Sequence, residues 1–277
     1  MSRRRSPSRR GRASSPAGAH GAQRPPRVDN GALIWGRHAA AAALANPRRV
    51  VRRITLTTDA TDALAAMLAP LTDSRRAALP PPTLADRDAV AALCPEGAVH
   101  QGVVLTVAPL PGFDLTALLA RLAPPAPCLL LVLDQVTDPR NVGAILRSAA
   151  AFGVDGVVLP DRHAPPETGT LARAASGALD VVPLVRVGNL ARALDSLKEA
   201  GVWLYGLDSE APETLGAVDM PGRMALLLGA EDSGLRRLTR EACDALLRLP
   251  TQPPIASLNV SNAAAVALFA ARQRRGG

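Results

Sequence analysis

From Asp114 onward the chain alternates short apolar runs with longer helical stretches, and this alternation limits its fold more than any other feature. The runs at 129–133, 157–159, 181–185, 202–205, 224–228 and 245–249 are rich in Val and Leu and too short for helices. Around them, 139–152, 168–175, 190–200 and 257–274 carry helical patterns. Strands linked through helices return in the same direction, so the pattern predicts an α/β domain on a largely parallel, doubly wound sheet. Composition agrees: hydrophobic residues are 48% of the chain and aromatics only 2%. The core is then Ala, Leu and Val, side chains that let helices lie close on a sheet.

A smaller α/β domain precedes it, expected over 31–108. Trp35-Gly36-Arg37-His38 opens an Ala-rich helix that stops at Asn46-Pro47, because proline cannot continue it. A strand follows at 51–57, helices at 62–68 and 86–93, and a strand at 103–107. Pro109-Leu110-Pro111-Gly112 begins a linker, set at 109–126, before the larger domain at 127–277.

The formal net charge is +8, and eight arginines between Arg3 and Arg27 account for all of it, leaving 24 basic against 24 acidic residues elsewhere. A Ser/Pro/Gly/Arg segment buries too little apolar area to offset its ordering entropy, so 1–30 is expected to be a disordered tail able to hold phosphates loosely. Its arginines are followed by no apolar stretch of a secretory signal, and the run 128–133 is too short to span a membrane. The protein is expected in the cytoplasm. Cys94, Cys128 and Cys243 are scattered and form no C-x-x-C pair, so neither zinc nor disulfides are expected. Cys94-Pro95 has no partnering His motif that would make it a nucleophile.

Three segments place polar or glycine residues at the carboxyl ends of strands, where open α/β sheets bind ligands. The first runs from Asn141 to Arg147 on a helix opened by Asp138-Pro139, a favourable first turn for proline. Arg147 lies among Ile145, Leu146, Ala149 and Ala150, which predicts a buried arginine in need of an anionic partner, Glu231 or an RNA phosphate. The second is Leu228-Gly229-Ala230-Glu231-Asp232-Ser233-Gly234-Leu235. Its glycines have phosphate-loop spacing, yet it continues Leu235-Arg236 in place of Lys-Ser/Thr, so a nucleotide phosphate lacks its usual cradle. The third runs from Leu249-Pro250 to Ser257-Leu258-Asn259-Val260-Ser261, with Ser257 expected to cap the last helix. On the residues alone, Leu249 and Leu258 are core leucines.

In order and spacing these segments resemble the three signature motifs of the SpoU/TrmH branch of the SPOUT RNA 2'-O-methyltransferases. Gly36-Arg37-His38, Arg48 through Arg53 and His100-Gln101-Gly102-Val103 resemble the substrate-binding domain of the type that methylates a guanosine ribose in 23S rRNA. One departure is visible: where relatives carry methionine, a small residue and glycine after Leu/Ile-Pro, this chain has Thr251-Gln252-Pro253-Pro254.

The resemblance implies a C-terminal trefoil knot, S-adenosylmethionine as cofactor, a homodimer, and RNA as partner with neither DNA nor membrane. It implies that Gly229, Leu249 and Leu258 contact the cofactor, and that Arg147, Asn141, Glu231, Ser257 and Asn259 serve catalysis. For RNA it points to Arg37, Arg48, Arg49, Arg52 and Arg53. A solvated face is the alternative for these arginines, although their clustering and the fork geometry of guanidinium suit phosphate. Two other functions remain open: ribose methylation of tRNA or another rRNA site, and a non-catalytic RNA-binding factor in ribosome assembly.

Overall fold

The computed structural model describes residues 32–252, 254 and 257–275. The arginine-rich segment 1–30 and Pro253 lie outside the described residues.

The N-terminal sheet comprises β1 (Ala32–Trp35), β2 (Val51–Leu56), β3 (Pro82–Leu84) and β4 (Val103–Val107) in the order β1-β4-β2-β3, with α1 (Arg37–Ala45), α2 (Thr61–Leu68), α3 (Asp73–Ala77) and α4 (Arg87–Ala92) between its strands. A bulge between Val51 and Arg53 in the β2–β4 pairing breaks the inside-outside alternation, so Arg52 and Arg53 both face solvent.

After α5 (Leu115–Arg121) comes the large unit: β5 (Cys128–Leu133), α6 (Pro139–Ala151), β6 (Gly156–Pro160), α7 (Gly169–Ala175), β7 (Leu184–Val187), α8 (Leu190–Glu199), β8 (Trp203–Leu207), β9 (Glu213–Thr214), β10 (Arg223–Leu228), α9 (Arg237–Ala242), β11 (Ala245–Arg248) and α10 (Val260–Arg275). The strands lie in the order β7-β6-β5-β10-β8-β11-β9, and every pairing is parallel.

All six residues of β5 are buried, because helices cover both faces of the sheet. Period-two alternation sends Leu129, Leu131 and Leu133 to a core shared with Ile145 of α6, Leu171 of α7 and Leu268 of α10. Leu130 and Val132 pack on the other side against Leu194 and Leu197 of α8 and Leu118 of α5. Each such leucine stabilises the fold by about 1.5–3 kcal/mol relative to exposure. In the first motif, Gly143 is forced by packing: a Cβ there would lie 2.5 Å from Ala174 Cβ and 2.8 Å from the Leu171 carbonyl.

Departures from the expected elements have local causes. The strand anticipated at 181–185 begins at Leu184, since Pro183 cannot donate to a ladder and a 3-10 turn occupies Ala178–Asp180. The stretch expected as linker contains α5, anchored by Leu118 against Gly156. The last helix starts at Val260, and Asn259 caps it in place of Ser257: its Oδ1 accepts from the Ser261 amide at 2.9 Å and its carbonyl from Ala263.

The two units share one continuous core, in which Ile34, Ala43 and Leu44 join Leu171, Ala175 and Leu179. At their junction Arg49 is only 1% exposed. Its Nε and Nη2 donate to the two oxygens of Asp180 at 2.8 and 3.2 Å, and its Nη1 donates to the Ala108 carbonyl and to Glu167. Arg49 therefore corrects the expectation of RNA contact: burial and carboxylate partners leave it no face for a phosphate. Among the described residues no helix is long and apolar enough to cross a membrane.

Candidate active site at the carboxyl edge of the parallel sheet

The second motif leaves β10 and folds back at once. Ala230 and Gly234 exchange two backbone hydrogen bonds, at 3.2 and 2.9 Å, and Gly234 has φ 64°. Gly229 lies against this turn so closely that a Cβ would sit 2.0 Å from the Gly234 carbonyl carbon and 2.3 Å from the Leu235 nitrogen. No side chain fits there, and the loop keeps its backbone bare beside a cavity of about 310 Å³. Leu228, Gly229, Leu249, Leu258, Glu231 and Ser257 all line that cavity. The residues expected to hold cofactor thus gather at one place, and Leu258, 40% exposed, is not the core leucine its type suggests.

Glu231 joins the three motifs. Its Oε1 accepts from Asn141 Nδ2 at 2.9 Å, from the Val260 amide at 3.3 Å and from Asn259 Nδ2. Asn259 Nδ2 also donates to Asn141 Oδ1 at 3.1 Å. Three donors saturate one carboxylate oxygen, so Glu231 fixes both amides while its second oxygen has no partner among the described residues.

Arg147 stands apart and corrects the expectation of a buried, paired guanidinium. It is exposed on α6 and has no ion pair or hydrogen bond among the described residues. The reason is helical phase: six residues beyond Asn141 turn it about 240° away and lift it about 9 Å along the axis. Glu231 is engaged by the asparagines instead.

Two ion pairs at this edge escaped the sequence reading. Fully buried Asp134, directly after β5, accepts from the Arg236 amide at 3.0 Å and from its Nε at 2.6 Å, tying the residue that follows the glycine loop to the carboxyl end of β5. Asp208, just after β8, pairs with Arg240, and both line the cavity. Each aspartate follows a strand's carboxyl end, which was the available signal. The cysteines take no part: burial raises the thiols of Cys94 and Cys243, the latter to about 12 with Asp244 adding to the effect. Of the N-terminal arginines, Arg37, Arg48, Arg52 and Arg53 are exposed; Arg48 also donates to the Pro111 carbonyl at 2.7 Å and stacks over Phe113.

A parallel α/β sheet with an amide–carboxylate cluster beside a glycine-walled pocket, joined to a domain bearing exposed arginines, fits a class of nucleic-acid-modifying transferases. The chain belongs to the SpoU rRNA Methylase family, whose pattern matches residues 128–269; residues 33–112 match the RNA 2'-O ribose methyltransferase substrate binding pattern. Over 183 residues it is 47% identical to the 23S rRNA (guanosine-2'-O-)-methyltransferase RlmB of Vibrio cholerae, covering 65% of this chain and 73% of that one. It is 46% identical over 183 residues to RlmB of Escherichia coli K12, covering 65% and 74%. Among solved structures, the SpoU methyltransferase AviRb from Streptomyces viridochromogenes is 25% identical with a TM-score of 0.73, over 90% of this chain and 91% of that one. AviRb has also been crystallised in complex with AdoMet.

Proposed function

We propose that the chain is an S-adenosylmethionine-dependent RNA methyltransferase that modifies a ribose 2'-hydroxyl, its substrate a guanosine of 23S rRNA. The observation that carries this reading is the convergence of three motifs on Glu231 beside one pocket. The 23S rRNA (guanosine-2'-O-)-methyltransferase relatives at 46–47% identity give the substrate.

The pocket suits the cofactor. Leu228, Leu249 and Leu258 offer apolar walls for an adenine, and Gly229 leaves backbone groups free for its edge. When bound, S-adenosylmethionine supplies an electrophilic methyl group on a sulfonium centre. Glu231 holds Asn141 and Asn259 rigid and offers its second oxygen to the ribose. Ser257 completes the polar rim. Arg147 orients the 2'-hydroxyl and its neighbouring phosphate and stabilises the negative charge that develops on that oxygen as it takes the methyl group and gives its proton to water; the S–CH3 bond would break and leave S-adenosylhomocysteine. A guanidinium keeps its own proton at neutral pH, so this contribution is electrostatic.

The same reading divides the chain into an RNA-binding domain at 31–108, a connection at 109–126 and a methyltransferase domain at 127–277, with the protein in the cytoplasm beside its ribosomal substrate. Arg37, Arg52 and Arg53 contact RNA phosphates. A homodimer completes the site: Val266 and Phe269, the latter 52% exposed, form an apolar stripe on α10, which packs against the α6 that carries Arg147. The trefoil threading of the C-terminal segment belongs to this reading too, supported by Leu249, Thr251, Ser257 and Leu258 lining one cavity with residues of the 229–235 loop. A crystal structure in which that segment passes outside the loop would remove it.

Mapping ribose methylations in RNA from a deletion strain tests the whole. The expected result is loss at one guanosine of 23S rRNA, restored by adding the purified chain with S-adenosylmethionine. Loss at a tRNA site with 23S rRNA unchanged overturns the substrate. In calorimetry, the unsubstituted chain binds S-adenosylmethionine and Gly229→Ala loses binding by at least about tenfold, because the loop must open to admit a methyl group. Absence of binding to the unsubstituted chain would leave an RNA-binding factor without catalysis.

A further inference from the structure

A second cavity, about 550 Å³, lies at the carboxyl ends of β5, β6 and β7, outside the three motifs. Every ionisable side chain lining it is basic: Arg162, His163, Arg236 and Arg237. Arg162 is exposed and makes no hydrogen bond or ion pair among the described residues. Arg237 shares only an exposed pair with Glu241 one turn along α9, and such solvent-screened pairs are weak, so an incoming anion can recruit it. Arg236 has its Nε on Asp134, yet its side chain is still half exposed. The ten-residue helix α8 also opens here, with Leu190 and Ala191 of its first turn in the lining, which adds the positive end of a helix dipole.

Position selects the anion. Arg236 follows directly on the Gly229–Leu235 loop, so this basic cavity and the methyl-transfer pocket share the carboxyl edge of one sheet. A strand whose ribose reaches the pocket and that runs along this edge meets the basic cavity, and guanidinium forks suit its phosphodiesters. The apolar lining, Pro160, Leu190, Ala191 and Leu238, holds no Phe, Tyr or Trp on which a base would stack.

We propose that Arg162, Arg236 and Arg237 seat backbone phosphates of the RNA strand flanking the methylated ribose. The proposal rests on the reading of the chain as an RNA methyltransferase. It assigns these side chains to affinity for RNA and leaves chemistry and cofactor binding to the neighbouring site. Sequence preference is not expected of them, since phosphates carry none.

The test uses the full chain, a 23S rRNA fragment and the variants Arg162→Ala, Arg162→Ala with Arg237→Ala, and Arg162→Glu. These positions are exposed, and unchanged thermal melts establish folding. The slope of log affinity against log salt is expected to fall by about one per arginine removed, and KM for RNA to rise several-fold. kcat at saturating RNA and affinity for S-adenosylmethionine stay as in the unsubstituted chain. If the double and charge-reversal variants keep the original slope and KM while the unsubstituted chain methylates RNA, the phosphate seat is overturned and the enzyme reading stands. If the unsubstituted chain binds RNA but methylates none, and the slopes still fall, the arginines hold RNA phosphates but the enzyme reading fails, and with it their placement beside a methylated ribose.

Discussion

Arg147→Ala is expected to lower the single-turnover rate of methyl transfer by about 10²–10³-fold, the range for removing one preorganised electrostatic group. Affinity for S-adenosylmethionine stays within about twofold, since Arg147 does not line the cofactor cavity. The size of the effect follows from two observations. The guanidinium has no hydrogen-bond or ion-pair partner among the described residues, and the helix that carries it is held in place by Val142, Ile145, Leu146 and Ala149 whether or not Arg147 is present. Truncation should then cost chemistry without folding. Arg147→Lys keeps the charge and loses the fork, so it should recover only part of the rate. Sedimentation should give a mass of twice 28.7 kDa for the chain and for both variants, because the exposed stripe of α10 is untouched. Rates near those of the unsubstituted chain would exclude Arg147 from the reaction.

Arg49→Ala should destabilise the protein by about 3–5 kcal/mol, the cost of leaving a buried charge without its partner. Asp180 is only 2% exposed at its side chain and takes two of the Arg49 donors, so removal of the guanidinium strands it inside the domain junction. Loss of Nη1 also frees the Ala108 carbonyl, and Asn46 Nδ2, 3.0 Å from Asp180, is left as its remaining side-chain donor. A fall of roughly 6–20 °C in the melting midpoint is expected for a unit of this size. The variant Arg49→Met with Asp180→Leu should recover part of the loss, since apolar replacements of a buried pair remove both desolvation penalties. A midpoint within about 1 °C of the unsubstituted chain would show that the junction does not depend on this pair.

Much of the fold is legible in local pattern. The run Cys128–Leu133 reads as a strand buried on both faces, and Asp138-Pro139 and Thr168 announce helices because capping is local chemistry. Elements without such a signal were not legible. β3 is three residues beginning with a proline, β9 is two residues, and α9 is the polar stretch RLTREA. They exist because neighbouring strands or loops hold them.

The candidate site divides the same way. Its membership was readable, because polar and glycine residues at strand ends stand out and the motif spacing resembles a known family. Its wiring was not. An arginine among Ile145, Leu146 and Ala149 looks buried in a linear reading, yet the phase of α6 turns it to solvent. A run of arginines looks uniformly exposed, yet a bulge turns Arg52 and Arg53 outward while Arg49 enters the domain junction.

By itself, then, the sequence determined the parallel α/β architecture, the three segments of the site and the absence of a phosphate cradle, all of which rest on interactions within a few residues of chain. Only the tertiary structure decided that Glu231 serves the two asparagines and not Arg147, that Asp134 and Arg236 brace the glycine loop, and that Arg49 locks one domain to the other. Those pairings join residues 28 to 131 positions apart. Which donor meets which carboxylate is set by helix phase and sheet order, and neither is encoded in local spacing.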